Sequence, residues 1–389
     1  MKNDPTASIG FVGTYPPTVC GIASYTASIV EAVADQRNPR RRVGVVSLID
    51  RNVGTTGAPV VFHHRTGDTG SLDGAIDVLN SFDTVSIQHE FGIFGGRDGS
   101  EVIDLMEGLT VPTAVTLHTV LNEPTENQRD IVERICDLAD RIIVMSETAS
   151  VRLVERYGVD PDQIGVIPHG VDDEFAGRSR ATRDRPLVLT WGLIGPGKGL
   201  ELAIEACASL VDMNPQPRYR IVGSTHPQVR QHAGESYRQS LMSLATRLGV
   251  GDMVEFDDRY LDRKALARMV RSADVVVLPY ESVEQVTSGV LVEAIAAAKP
   301  VVATPFPHAV ELLTGGAGVV VPYGEPATLG AALRGLLSDA EEMALMAKRA
   351  RRLAEGWYWP AIGQRFVTMM SQLSRHTDGH LTGTAQHVG

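Results

Sequence analysis

The sequence predicts an α/β protein with two doubly wound parallel sheets. Three observations carry that prediction: short β-branched runs alternate with helix-period segments, the alternation occurs twice, and 389 residues suffice for two domains. In the first series, Ser8–Val12, Val43–Leu48, Thr84–Gln88, Thr113–Leu117 and Arg141–Met145 are each a short apolar run bounded by turn or polar residues, the pattern of a buried strand. Helical periodicity fills Gly21–Ala34, Glu126–Leu138 and Glu147–Tyr157 between them. A second series starts near Arg185, with strands at Leu187–Trp191, Tyr219–Gly223, Met253–Phe256, Asp274–Leu278, Val301–Thr304 and Gly318–Val321. Its helices include Leu200–Met213, Ser288–Ala297 and Ala327–Leu337. The polar segment Asp172–Arg185 has no clear periodicity and reads as a linker between two Rossmann-like halves, with a ligand cleft between them.

Composition removes several classes of function. The net charge of -11 argues against nucleic-acid binding, which needs a basic surface to displace counterions. No stretch approaches the ~20 apolar residues of a membrane span. The N-terminus lacks a cationic and apolar leader, which together with only three cysteines (Cys20, Cys136, Cys207) suits a cytoplasmic protein. The basic cluster Arg37–Arg42 is compatible with peripheral placement at the inner membrane face, although a solvated turn explains it more simply. His63 and His64 are adjacent and diverge on a strand, and no other His, Asp or Cys spacing reads as a metal site.

Two loops of the second half carry the clearest chemistry. After a strand ending at Leu278, Thr287-Ser288-Gly289 opens an apolar helix, where free N–H groups and the helix dipole favour an anion. Glu293 lies one helical turn further, where a carboxylate suits vicinal ribose hydroxyls. Taken alone, these residues equally describe an N-capped helix with an ordinary surface glutamate. Trp191–Gly199 holds four glycines and Lys198 at the mouth of a helix, a point charge for phosphate oxygens. It fits neither the P-loop nor the dinucleotide fingerprint.

With these motifs the chain resembles the retaining glycosyltransferases of family 4, which have the GT-B fold. Gly192–Gly199 matches their G-x5-KG loop and Gln285–Glu293 their E-x7-E motif, whose second Glu holds the donor ribose. The resemblance extends to Pro168–Asp172 as a hinge and to a helix containing Trp359 that crosses back to the first domain. Three positions depart from the family pattern: Gln285 replaces the first Glu, Leu193 the arginine after the first loop glycine, and Cys20-Gly21 a doubled glycine. The implied domains are 1–172, completed by a helix at 358–374, then a linker at 173–185, a nucleotide-sugar domain at 186–357 and a flexible tail at 375–389. The implied donor residues are Gly21, Gly192, Lys198, Gln285, Val290, Glu293 and the Thr287–Gly289 turn. Arg259, just after a strand, is the candidate to offset Leu193, unless it is a surface arginine paired with Asp257 or Asp258.

On the first half, His118 closes a strand and matches the family's histidine near the donor hexose; by position alone it is a core histidine or a donor to a sugar hydroxyl. Tyr15 sits in the Gly13–Ile22 loop. His89 and Glu90 form a candidate acceptor-side or acid/base pair, or simply a bonded loop. The expected activity moves a hexose, mannose or glucose, from a GDP- or UDP-sugar to the hydroxyl of a glycan, a lipid-linked or a small acceptor, with retention. His118, Lys198 and Glu293 are its catalytic candidates, and no metal or other cofactor is expected. The rival readings are another GT-B enzyme, such as a sugar-nucleotide epimerase or a phosphorylase, and a sugar-nucleotide sensor without catalysis.

Overall fold

A computed structural model describes residues 8–34, 41–50, 57–177, 184–259 and 261–382. The chain forms two compact units, Met1–Gly170 with Trp359–Gly389, and Val171–Tyr358. Each unit is a wholly parallel sheet wrapped by helices, as the double alternation predicts.

In the first unit the strands are β1 (Ile9–Gly13), β2 (Val43–Ile49), β3 (Val60–Arg65), β4 (Thr84–His89), β5 (Thr113–Leu117), β6 (Arg141–Val144) and β7 (Ile164–Val166), in the spatial order β3-β2-β1-β4-β5-β6-β7. Sequence periodicity misses β7 and marks β3 only through His63 and His64, for a physical reason. Both are edge strands, only partly buried, and β3 spends two of its six positions on His63 and His64. The central strands are fully buried, which is why they read as unbroken apolar runs.

The second unit contains β8 (Leu187–Trp191), β9 (Arg218–Val222), β10 (Val254–Asp257), β11 (Val275–Leu278), β12 (Val301–Ala303) and β13 (Gly318–Val320), ordered β10-β9-β8-β11-β12-β13. In each sheet the strand order reverses once, between β1 and β4 and between β8 and β11. Ligands of open α/β sheets bind beyond the carboxyl ends of the strands at such a reversal. The loops that follow β1, β4, β8 and β11 therefore border these two positions.

The interval expected to be a linker is partly structured. Asp173–Phe175 makes a turn of 3-10 helix, and Phe175 is buried in the core of the second unit. The chain passes between units at Gly170–Val171, two residues before the expected boundary, and again at Tyr358–Trp359. A side chain at Gly170 would collide with the Trp359 indole 2.2 Å away, so glycine lets the ring lie on the backbone. The last helix, Trp359–Thr382, runs through most of the interval expected to be a tail; residues 383–389 lie outside the described ones. Residues 35–40 also lie outside them; of the basic cluster, Arg42 bonds Ser81 and stacks on Phe82 at 4.1 Å. All three cysteines are free thiols.

Candidate functional site

In the second unit the two predicted loops meet. The loop Gly192–Gly199 leaves the end of β8, and Gly199 starts the helix Leu200–Cys207 from a left-handed conformation, φ 60°. A Cβ at Gly199 would lie 1.8 Å from the carbonyl oxygen of Pro279, directly after β11, so only glycine allows this approach. The Glu281 N–H donates to the Gly197 carbonyl at 3.0 Å, and Gly192 faces Val290 of the helix Gly289–Ala296. Lys198 places its Nζ 4.2 Å from the centre of the Tyr280 ring. Burial lowers its pKa, and among the described residues no carboxylate pairs with it, so its charge is left for an anion.

The start of the Gly289 helix behaves only partly as predicted. Ser288 caps it, its Oγ accepting the Leu291 N–H at 3.3 Å. The Ser288 N–H, expected to be free, instead donates to Nδ1 of buried His308 at 2.9 Å. The first-turn N–H groups of Gly289 and Val290 still lie beyond the reach of any carbonyl of their own helix. Thr287 Oγ1 is buried and has no hydrogen-bond partner among the described residues. Gln285 Nε2 donates to the Thr287 carbonyl at 3.1 Å, so this side chain shapes the turn. Tyr280 ties the two loops together, with its ring against Lys198 and its hydroxyl bonded to Ser288.

Glu293 is half-buried, and the indole N–H of Trp191 donates to its Oε2 at 2.8 Å. Burial, reinforced by Asp172, raises its pKa to about 7 against the opposing pull of Trp191 and Arg263. Trp191 as the partner of Glu293 has no signal in the sequence beyond an indole directly before the glycine loop.

Arg259 does not enter this cluster. It makes a two-pronged pair with Asp257, Nε to Oδ1 at 2.8 Å and Nη2 to Oδ2 at 2.6 Å, and its side chain is 69% exposed. The geometry favours the surface ion pair over compensation for Leu193. Arg259→Leu is accordingly expected to change kcat by less than about threefold, since exposed pairs contribute ~0–1 kcal/mol. A hundredfold drop in steady-state kcat would contradict this.

The first unit presents a second polar group of residues at the reversal between β1 and β4. His118 Nε2 lies 3.0 Å from Gln88 Oε1, while Gln88 Nε2 points to Ser86 Oγ at 3.2 Å. Because Gln88 offers a carbonyl oxygen, Nε2 carries the histidine proton and Nδ1 is left as an acceptor. This refines the expectation of a donor: a sugar hydroxyl would donate to His118. Tyr25 packs edge-on against His118 at 4.8 Å, against His169 at 5.2 Å and against Trp359 at 5.5 Å.

His89 and Glu90 do not pair. The His89 ring lies between Phe91 and Phe94 with both nitrogens buried and unpartnered among the described residues. Glu90 accepts from Thr119 Oγ1 at 2.6 Å and from the Phe91 N–H at 3.0 Å, and burial raises its pKa. Successive residues at a strand end point to opposite faces, which separates the two. Tyr15 is half-buried against the core of this unit. Gly21 opens the helix Gly21–Ala34, where Cys20 Sγ accepts the Ala23 N–H at 3.3 Å.

Burial holds three histidines neutral, lowering His118 to about 3 and His89 and His169 to about 4. A depressed histidine pKa means that the unfolded chain takes up protons the native chain refuses, so stability falls as pH drops below about 6.5. The slope is at most ~1.4 kcal/mol per pH unit for each histidine. Thermal midpoints measured from pH 7 to pH 5 should fall, and less steeply in His89→Phe; parallel curves would contradict the neutral state of His89.

Residues 171–353 match the family model described as glycosyl transferases group 1, and residues 80–175 match glycosyltransferase family 4. A D-inositol 3-phosphate glycosyltransferase of Corynebacterium efficiens is 30% identical over 305 residues, 73% of this chain and 70% of that protein. The chain belongs to glycosyltransferase family 4. Another D-inositol 3-phosphate glycosyltransferase, from Kineococcus radiotolerans, is 31% identical over 253 residues, but the match spans only 57% of its length and 60% of this chain. Among solved structures, sucrose-phosphate synthase of Thermosynechococcus elongatus superposes with a TM-score of 0.74 at 18% identity, covering 95% of this chain and all of that one. HepE of Anabaena in complex with UDP gives 0.73 at 18% identity over 94% of this chain and 100% of its own. These likenesses agree with the GT-B fold of the family 4 chain, two parallel-sheet Rossmann-like domains. Among the described residues no helix is long and apolar enough to cross a membrane, and no group of three or more His, Cys, Asp or Glu is arranged to hold a metal.

Proposed function

We propose that the protein transfers a hexose from a nucleoside diphosphate sugar to an acceptor hydroxyl, with retention at the anomeric carbon and without a metal. The observation that carries this reading is the meeting at Tyr280, within one unit, of half-buried Lys198 and Ser288, the cap of the Gly289 helix, next to Thr287, whose buried hydroxyl has no partner among the described residues. Together they offer fixed positive charge and donors to a diphosphate, and they need no reorganisation as charge grows on the leaving group. Glu293, oriented by Trp191, accepts the ribose hydroxyls. In the first unit the Nδ1 of neutral His118 accepts a hydroxyl of the transferred sugar or the acceptor.

Relatives named as inositol phosphate glycosyltransferases favour a small polyhydroxylated acceptor, and a solved neighbour complexed with UDP favours a uridine donor. The test is calorimetry with UDP and GDP, followed by turnover of the matching hexose donors in the presence of EDTA. Binding of one nucleotide and EDTA-resistant release of it from the donor is the expected result. A chain that binds neither nucleotide, or whose activity requires added Mg²⁺ or Mn²⁺, would sink the corresponding part of the reading.

A further inference from the structure

We propose that Arg238 is a positioning residue for the anion site of the second unit, and that its buried charge strengthens the hold on the terminal phosphate of a nucleoside diphosphate. The inference rests on the function proposed above and adds a residue that neither motif contains. Arg238 is the third residue of the helix Ser236–Arg247 and is only 8% exposed. Its Nη2 donates to the Gly223 carbonyl at 2.6 Å and its Nε to Glu235 Oε2 at 3.3 Å. Its third nitrogen, Nη1, is buried with no partner among the described residues. A buried guanidinium with an unused donor is costly unless something in the native protein needs its charge or its fork.

The neighbours of Gly223 show what that is. Gly223 follows β9 at φ 137°, and a Cβ there would fall 1.9 Å from the carbonyl oxygen of Gly192, so the two backbones touch. The contact continues along the chain. Ile194 N–H donates to the Ser224 carbonyl at 2.9 Å, and the His226 N–H donates to the Ile194 carbonyl at 2.8 Å. Gly223–His226 is thus the seat of the loop that carries Lys198, and Arg238 fixes the first residue of that seat. Glu235 fixes the third, because the Thr225 hydroxyl donates to the same Oε2 at 2.5 Å. Glu235 is also the carboxylate that answers Arg238, but its side chain is 41% exposed and so is screened by solvent, whereas the guanidinium is not. A net positive field therefore remains beneath the Gly192 end of the loop.

Calorimetry on the full chain tests both parts, using whichever of UDP and GDP the wild type binds, together with the corresponding monophosphate. Arg238→Met should weaken the diphosphate by about tenfold or more, the effect of one charged hydrogen bond, and the monophosphate by less than about threefold. Arg238→Lys, which keeps the charge but not the fork, should recover part of the loss. Glu235→Gln keeps the hydrogen bonds and removes the opposing charge, so it should bind the diphosphate at least as tightly as wild type does. If Arg238→Met does not fold, the lysine and glutamine variants decide the question. Equal weakening of both nucleotides by an Arg238 variant, or weakening of the diphosphate by Glu235→Gln, would overturn the inference and make this a structural ion pair. A wild-type chain that binds neither UDP nor GDP overturns the proposed function itself, a separate result.

Discussion

Lys198→Ala is expected to lower kcat by about 100- to 1,000-fold, the effect of removing one fixed electrostatic donor from a site where charge develops. The size follows from the environment. Nζ is largely shielded from water, rests against the Tyr280 ring and is opposed by no carboxylate among the described residues. In such a setting a charge is worth far more than on the surface, and an arriving anion offsets the burial that lowers the lysine pKa. The loss should fall on kcat more than on KM, because the departing diphosphate carries more negative charge in the transition state than in the bound donor. Single-turnover measurements with the hexose donor separate the two. A variant that only raised KM would make Lys198 a ground-state contact. Lys198→Arg should not rescue fully, because a planar fork replaces the compact point charge that rests against the Tyr280 ring.

The arrangement around Lys198 shows what could be read from the chain and what could not. Strands such as Val275–Leu278 are buried on both faces, so their identity is written locally in consecutive β-branched residues. The Ser288 cap and the glycine loop are equally local, set by residues within a single turn. The partners that tune the site are distant. His308 takes the Ser288 N–H from 20 residues away, and Trp191 reaches Glu293 across 102. No periodicity encodes such pairs, because the topology of the second sheet sets them by placing β11 between β8 and β12. Arg259 fails in the opposite sense. Its partner Asp257 is two residues away, and this local ion pair competes with any role at the diphosphate. Arg238 is not legible in the chain, because a helical arginine reads as a solvated face until packing shows it buried. The domain boundary slipped for a related reason, since Phe175 is one apolar residue in a polar segment and only the fold shows that it fills the core of the second unit.

Glu293 should make nucleotide binding depend on pH. With a pKa of about 7 in the free protein, most of the side chain is protonated at pH 6, whereas accepting two ribose hydroxyls calls for the carboxylate. Affinity for the nucleoside diphosphate should therefore rise with pH and level off above about 7, falling at most ~tenfold per unit on the acid side. The sign for folding is opposite. A carboxyl pKa raised above its ordinary value means that the native chain holds a proton which the unfolded chain releases, so this residue costs stability as pH rises from about 4.5 to 7. Binding and folding thus pull the same proton in different directions, as expected of a residue placed for a ligand at the expense of stability. Glu293→Gln keeps the Trp191 bond and the shape but cannot ionise, so its affinity should show no inflection of this origin and its stability should no longer decline across that window. Glu293→Ala should weaken nucleotide binding by ~1.5–3 kcal/mol, about 10- to 150-fold, through unpaired ribose hydroxyls. Calorimetry at pH 6 in buffers of different ionisation enthalpy supplies an independent check, because binding should release a proton in the wild type and less in Glu293→Gln. The nucleotide's own terminal phosphate titrates near pH 6, so the difference between the two proteins is the quantity that counts. Identical proton release and identical pH profiles would show that Glu293 stays outside the ribose site and serves only to accept the Trp191 hydrogen bond.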